Sequence, residues 1–205
     1  MTDDDSLRFQ DFSWLEYQER TAHRPATEYF AAAMDFVDGD SGDGRLAIDL
    51  GCGGGSETRE LLARGWRVFA TDAGPESKRL VVERTPLDHR HRLEHVHGRF
   101  HEVVLPQADL VYAQYSLPFA DDDLEASVDA AIGAVKPGGA FVGQLFGHND
   151  TWAGSGAATV DRGWIESKFS GFSELNIDEK DFEGSYGGCD ANQKQWHVFH
   201  IHARR

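Results

Sequence analysis

The chain has 205 residues, with 20 Lys and Arg against 35 Asp and Glu, a formal charge of −15. That length suits one well-packed domain rather than two, and 40% hydrophobic with 27% charged residues is a soluble globular make-up. The acidic balance argues against a nucleic acid or an anionic membrane, which are held by cationic surfaces, and it favours a cationic ligand through long-range attraction.

No apolar run approaches the ~20 residues of a membrane span. The acidic start, MTDDDSLRFQDF, lacks the basic and apolar regions of a secretory signal. Two cysteines, Cys52 and Cys189, are too few for a disulfide scaffold. A reduced, cytoplasmic setting is the expectation.

Residues 11–37 carry aromatics and aliphatics at spacings of three and four, in WLEYQER and ATEYFAAAMDFV, which predicts two helices broken near Pro25. The turn-rich DGDSGDGR ends this helical N-terminal cover. From Leu46 short apolar runs alternate with helices. RLAIDL is a buried strand, and SETRELLARG a helix with Ser56 as N-cap and Gly65 as its stop. WRVFATD is the second strand, followed by a helix in GPESKRLVVER with Pro75 near its first turn. LEHVHGRF is a weak third strand and ADLVYAQYS a strong fourth. An acid-started helix in DDDLEASVDAAIGAVKPGG is expected to end at Pro137, before a fifth strand in AFVGQLFG.

The alternation predicts parallel strands with right-handed crossovers. The tail breaks it: a short helix in GWIESKFSGF precedes two long strands, FSELNIDEKDFEG and KQWHVFHIHARR, joined by SYGGCDANQ. These are expected to form an antiparallel pair at the sheet edge. The fold class is α/β, a doubly wound, mostly parallel sheet in a single domain, 1–205. It divides into a helical cover at 1–40, a core at 45–147, and an acceptor loop with the antiparallel tail at 148–205.

In such sheets ligands bind beyond the carboxyl ends of the strands. Gly51, Gly53 and Gly55 follow the first strand directly, where glycine lets a ligand approach the backbone. Asp72 ends the second strand, and a carboxylate there suits the two hydroxyls of a ribose. A nucleoside-containing cofactor follows from the pair. The dinucleotide pattern G-x-G-x-x-G fails here, because Ser56 stands at its third glycine. Asp49, just before the turn, is awkward for a pyrophosphate and apt for a positively charged cofactor.

IDLGCGGG resembles motif I of the class I S-adenosylmethionine-dependent methyltransferases, an acidic residue followed by x-G-x-G-x-G, read as Asp49, Gly51, Gly53 and Gly55. VFATDAGPESKRL and AVKPGGAFVGQLFG resemble later segments of the same family, and YSLPFA and WHVFHIHARR are similar to its small bacterial, tellurite-resistance-like members. The resemblance covers 45–147 well and the tail moderately, and it implies a Rossmann-like fold with S-adenosylmethionine as cofactor and S-adenosylhomocysteine as product.

The family pattern implies a role for each matching residue. Gly51, Cys52, Gly53 and Gly55 lie against the methionine part, and Asp49 organises the turn. Asp72, with Ala73 after it, meets the ribose. Arg99 and Phe100 follow the third strand, near the adenine; Arg99 departs from the family's usual acid, which leaves adenine to the backbone or to stacking on Phe100. Gln114, Tyr115 and Ser116 lie near the transferred methyl.

The acceptor side is read from GQLFGHNDTWAGSG, where His148 and Asp150 are acid–base candidates and Trp152 a pocket wall. Trp14, Tyr17 and Arg20 share a helical face that covers the same pocket; Arg20 or Arg24 could meet the cofactor carboxylate. His95 with His97, and His200 with His202, share strand faces, yet no cysteine joins either pair and no metal is expected. Ser116 lies in YSLPF, not in a G-x-S-x-G nucleophile elbow. The function expected is methyl transfer to a small-molecule acceptor, with no nucleic-acid or membrane partner. The alternatives are a nicotinamide-dependent oxidoreductase and a non-catalytic cofactor-binding module.

Overall fold

The computed structural model describes residues 13–37, 41–186 and 189–205. The first two residues of the predicted N-terminal helical segment, part of DGDSGDGR and the centre of SYGGCDANQ lie outside that set. Helices α1 (Trp14–Thr21) and α2 (Glu28–Phe36) form separately on either side of Pro25. Each starts on a side-chain cap, with Ser13 accepting from Glu16 N and Thr27 from Phe30 N. Then follow β1 (Leu46–Leu50), α3 (Ser56–Ala63), β2 (Arg67–Asp72), α4 (Ser77–Arg84), β3 (Leu93–His97), β4 (Ala108–Ala113), α5 (Leu124–Ala134) and β5 (Val135–Phe146). The chain ends with α6 (Arg162–Lys168), β6 (Glu174–Tyr186) and β7 (Cys189–Arg204).

One seven-stranded sheet runs in the order β3-β2-β1-β4-β5-β7-β6. The pairs among β1 to β5 are parallel, and β7 is antiparallel to both β5 and β6. Strand order reverses between β1 and β4, so a crevice opens at their carboxyl ends. One face packs Phe30, Met34, Leu61, Leu62 and Val81 from α2, α3 and α4 on Ala47, Val68, Tyr112 and Val142. The other packs Leu124, Val128, Ile165 and Phe169 from α5 and α6 on Ile48, Val111, Phe141 and Phe199. Side-chain alternation along each strand produces the two faces. Among the described residues no helix is long and apolar enough to cross a membrane.

Three boundaries differ from the sequence expectation. Gly55, left-handed at φ 81°, occupies the cap position of α3, and Ser56 is the first helical residue, donating its hydroxyl to Thr21 O at 3.2 Å. Helix α5 stops at Ala134 because Val135 already pairs with Ala108 of β4; the Lys136–Gly139 turn is an irregularity in that ladder, not a helix tail. Strand β7 begins at Cys189, so the hairpin connection is shorter than SYGGCDANQ.

Candidate active site

The glycine turn closes on the ends of β1, β2 and β4. Gly51 and Cys52 donate their backbone N–H to Thr71 O at 2.8 and 3.2 Å. Gly51 has φ 75°, and a Cβ there would lie 2.2 Å from Ser116 Cβ and 3.4 Å from Phe100 Cζ. Ser116 in turn donates to Leu50 O at 2.6 Å. The residue after β1 and the residues after β4 are thereby locked together where the strand order reverses. Gly54 is tight for another reason: its missing Cβ would sit 2.6 Å from Ala22 Cβ, because the end of α1 lies on the turn. Arg59 fixes that contact, donating to both Gly54 O and Ala22 O.

Asp72 is half-buried at the head of the crevice. Its Oδ2 accepts from Gly53 N at 2.9 Å, and its Oδ1 from Gly74 N at 2.7 Å and Gln18 Nε2 at 3.2 Å. A carboxylate offers about four lone-pair sites, so Asp72 Oδ2, with one donor, keeps a site free for a ligand hydroxyl. The backbone of Gly53 is approachable, with only Gln18 within 4 Å of where its Cβ would be. Ala73 is exposed beside it.

Asp49 is buried and accepts from Thr58 Oγ1 of α3 at 2.5 Å. Burial pushes its carboxyl up to about 7, the Thr58 bond opposing and the nearby Glu57 and Asp72 charges adding to the rise. An unfolded Asp titrates near 4, so the unfolded chain ionises first and stability falls as pH rises from about 4 to 7. Asp49→Asn removes that burden while keeping an acceptor for Thr58. The shift sets a ceiling near 4 kcal/mol, and burying an unpaired amide N–H₂ takes back about 1–3 kcal/mol. The ligand-free variant is therefore expected to be at most about 1–3 kcal/mol more stable at pH 8, with no gain at pH 4, in urea denaturation.

Cys52 points its thiol inward, 3.4 Å from Ser77 Oγ and 3.5 Å from His95 Nε2, so only its backbone faces the crevice. Burial pushes that thiol well above its ordinary range. Phe100 stands over Gly51, as the virtual Cβ contact shows, whereas Arg99 is exposed and paired with Asp123 at 3.1 Å. The guanidinium of Arg99 is satisfied by that pair at the surface.

At the end of β4, Gln114 Oε1 accepts from Thr27 Oγ1 at 2.8 Å and from Tyr112 Oη. Tyr115 adopts φ 48°, unusual for a side-chain-bearing residue, and donates its N–H to the buried Gln144. Its ring meets Tyr29 at 5.6 Å, Trp196 at 5.7 Å and Phe146 at 6.2 Å. Tyr29 stacks on His200 at 4.6 Å, and burial pushes that imidazole down to about 4, so it is neutral. Trp14 lies edge-on to Phe119 at 4.7 Å and to Tyr17 at 6.1 Å, which closes the aromatic wall from α1. Arg20 is exposed in the last turn of α1, where a cation suits the helix dipole.

The loop after β5 divides the residues that the sequence groups together. His148 is exposed, with Nδ1 2.9 Å from Thr159 Oγ1. Asp150 is buried and accepts from Trp152 N at 3.0 Å, His197 N at 3.2 Å and Lys194 Nζ. It is an ion-pair partner that ties the loop to β7, and its contacts leave no place for the acid–base role read from the sequence. Trp152 is buried against Phe119, Phe146, Tyr186 and Trp196. Sequence reasoning missed Gln18, Thr27, Tyr29, Lys194 and Trp196. The signal for the last two was present, since Lys194, Trp196, Val198 and His200 alternate on one face of β7, and a lysine on an otherwise apolar face stands out. Among the described residues no three His, Cys, Asp or Glu side chains converge as a metal site.

The donor set fits S-adenosylmethionine: an approachable glycine backbone, a carboxylate for a diol, a ring over the turn, and a buried acid below it. Residues 48–143 match a family described as a methyltransferase domain. The chain is similar in fold to the YcgJ protein of Bacillus subtilis (TM-score 0.68, 11% identity, covering 86% of this chain and 97% of that one). It is also similar to TehB of Haemophilus influenzae, with TM-score 0.67 and 13% identity over 92% of this chain and 65% of that one. A third is a 1,6-didemethyltoxoflavin-N1-methyltransferase of Burkholderia thailandensis with bound 1,6-didemethyltoxoflavin and S-adenosylhomocysteine, with TM-score 0.59 and 15% identity over 87% and 78% of the two chains. No protein of curated function matches the sequence.

Proposed function

We propose that this chain, which carries a class I S-adenosylmethionine-dependent methyltransferase domain, methylates a small-molecule acceptor. The observation that carries the acceptor class is the half-buried aromatic wall of Tyr29, Tyr115, Phe119 and Trp196 beside Gln114–Ser116. Such a wall suits a compact ligand with apolar surface. The charge of −15 disfavours a polyphosphate acceptor.

S-adenosylmethionine supplies a methyl group on a sulfonium and leaves as S-adenosylhomocysteine. Asp72 would take the ribose hydroxyls, beside the Gln18 amide that donates to its Oδ1. Gly53 would admit the amino-acid part to its open backbone, whereas Gly51 is packed on Ser116 and the buried Gly55 on Val81, so these two shape the turn; Asp49, held by Thr58, sets it from beneath. Phe100, over Gly51, would offer its ring to the adenine. Gln114, pinned by Thr27 and Tyr112, and Tyr115 and Ser116 would line the methyl. Trp14, Tyr17, Arg20 and Trp152 enclose the acceptor and exclude water. Alignment alone supplies much of the acceleration for an in-line displacement, so no side-chain base is assigned. The chain acts as one domain, 1–205, in the cytoplasm, where the free thiol of Cys52 stays reduced.

The test is a panel of small-molecule acceptors alongside transfer RNA and duplex DNA, read by S-adenosylhomocysteine release. Turnover with a small molecule and none with nucleic acid is expected; the reverse contradicts the acceptor class. With the acceptor found, His148→Ala keeps kcat within about twofold across pH, as an exposed side chain would. A lost basic limb in its pH profile would restore His148 as the base.

A further inference from the structure

Behind the aromatic wall lies a built cation box. The Lys194 ammonium sits 3.8 Å from the ring centres of both Trp152 and Trp196 and 4.7 Å from that of Phe146. Its side chain is 1% exposed and that of its partner Asp150 is 0% exposed. Asp150 is aimed by two backbone N–H groups, those of Trp152 and His197. Ring faces around a carboxylate are the chemistry that recognises an alkylammonium group. The box adjoins the methyl-transfer end of the crevice, because Trp196 and Phe146 both touch Tyr115.

We propose that this box is the acceptor's cation subsite, and that Lys194 fills it until an alkylammonium group of the acceptor takes its place. The inference rests on the small-molecule reading above and narrows it to acceptors that carry an ammonium group apart from the atom that is methylated. Desolvation pulls the Lys194 amine down to about 8 against the raising effect of Asp150, so its ammonium is held less comfortably there than in water. A tetraalkylammonium is more weakly hydrated than a primary ammonium and is the better guest for a dry aromatic box. The acidic surface draws such ligands in.

The experiment is calorimetry of the full chain, loaded with S-adenosylhomocysteine, against tetramethylammonium chloride. Lys194→Ala, which empties the box and leaves Asp150, is expected to bind at least about tenfold more tightly than the wild type. Trp196→Leu in the wild-type background is expected to lose about tenfold, and it serves if Lys194→Ala does not fold. Equal affinity in wild type and variants, or no binding to any of them, overturns the proposal. S-adenosylhomocysteine binding in the same samples separates that outcome from failure of the methyltransferase reading, which would abolish cofactor binding as well.

Discussion

Gly51→Ala is expected to destabilise the protein by about 2–5 kcal/mol and to abolish cofactor binding. Two effects add. At φ 75° an L side chain carries about 1–2 kcal/mol of backbone strain. The new Cβ would also lie 2.2 Å from Ser116 Cβ, and Ser116 cannot retreat while its hydroxyl holds Leu50 O at 2.6 Å. Forcing a methyl into such a contact adds about 1–3 kcal/mol. Gly138→Ala is the control: φ is 78° but no atom lies within 4 Å of its Cβ, so only strain is expected. Urea denaturation of both variants separates the terms, and equal losses would show that the Gly51–Ser116 clamp contributes nothing.

Asp72→Ala is expected to weaken S-adenosylmethionine by about 100-fold or more, since each charge-assisted hydrogen bond to the ribose contributes about 1.5–3 kcal/mol. The same change removes the acceptor of Gly53 N and Gly74 N, so the empty protein loses stability as well. Asp72→Asn parts the two effects. It keeps an acceptor oxygen for only one of Gly53 N and Gly74 N and loses the charge, so the expected result is a denaturation midpoint between those of the wild type and Asp72→Ala, with affinity still reduced by tenfold or more. Cofactor affinity unchanged in both variants would take Asp72 out of the site.

The sheet and the glycine turn with Asp72 beside it were legible because they rest on local rules. A buried apolar run, left-handed glycines and an acid at a strand end identify themselves within a few residues. Boundaries such as Gly55 against Ser56 were not legible, because the cap depends on where the glycine turn closes. The acceptor side was legible only in part. His148 and Asp150 are two residues apart in the chain, yet one faces solvent and the other is drawn inward by Lys194, 44 positions later. Gln18 reaches Asp72 across 54 positions, and Thr27 reaches Gln114 across 87. Such pairings belong to tertiary packing, and no spacing in the chain announces them. Arg99 shows the converse: its place after β3 was read correctly, but its direction is set by Asp123.

The most direct test is a calorimetric titration of the wild-type protein with S-adenosylhomocysteine and, separately, with NAD. One molecule of S-adenosylhomocysteine bound per chain, with no heat from NAD, is the expected result. Binding of NAD without S-adenosylhomocysteine would contradict the assignment of the glycine turn and Asp72 to a sulfonium cofactor.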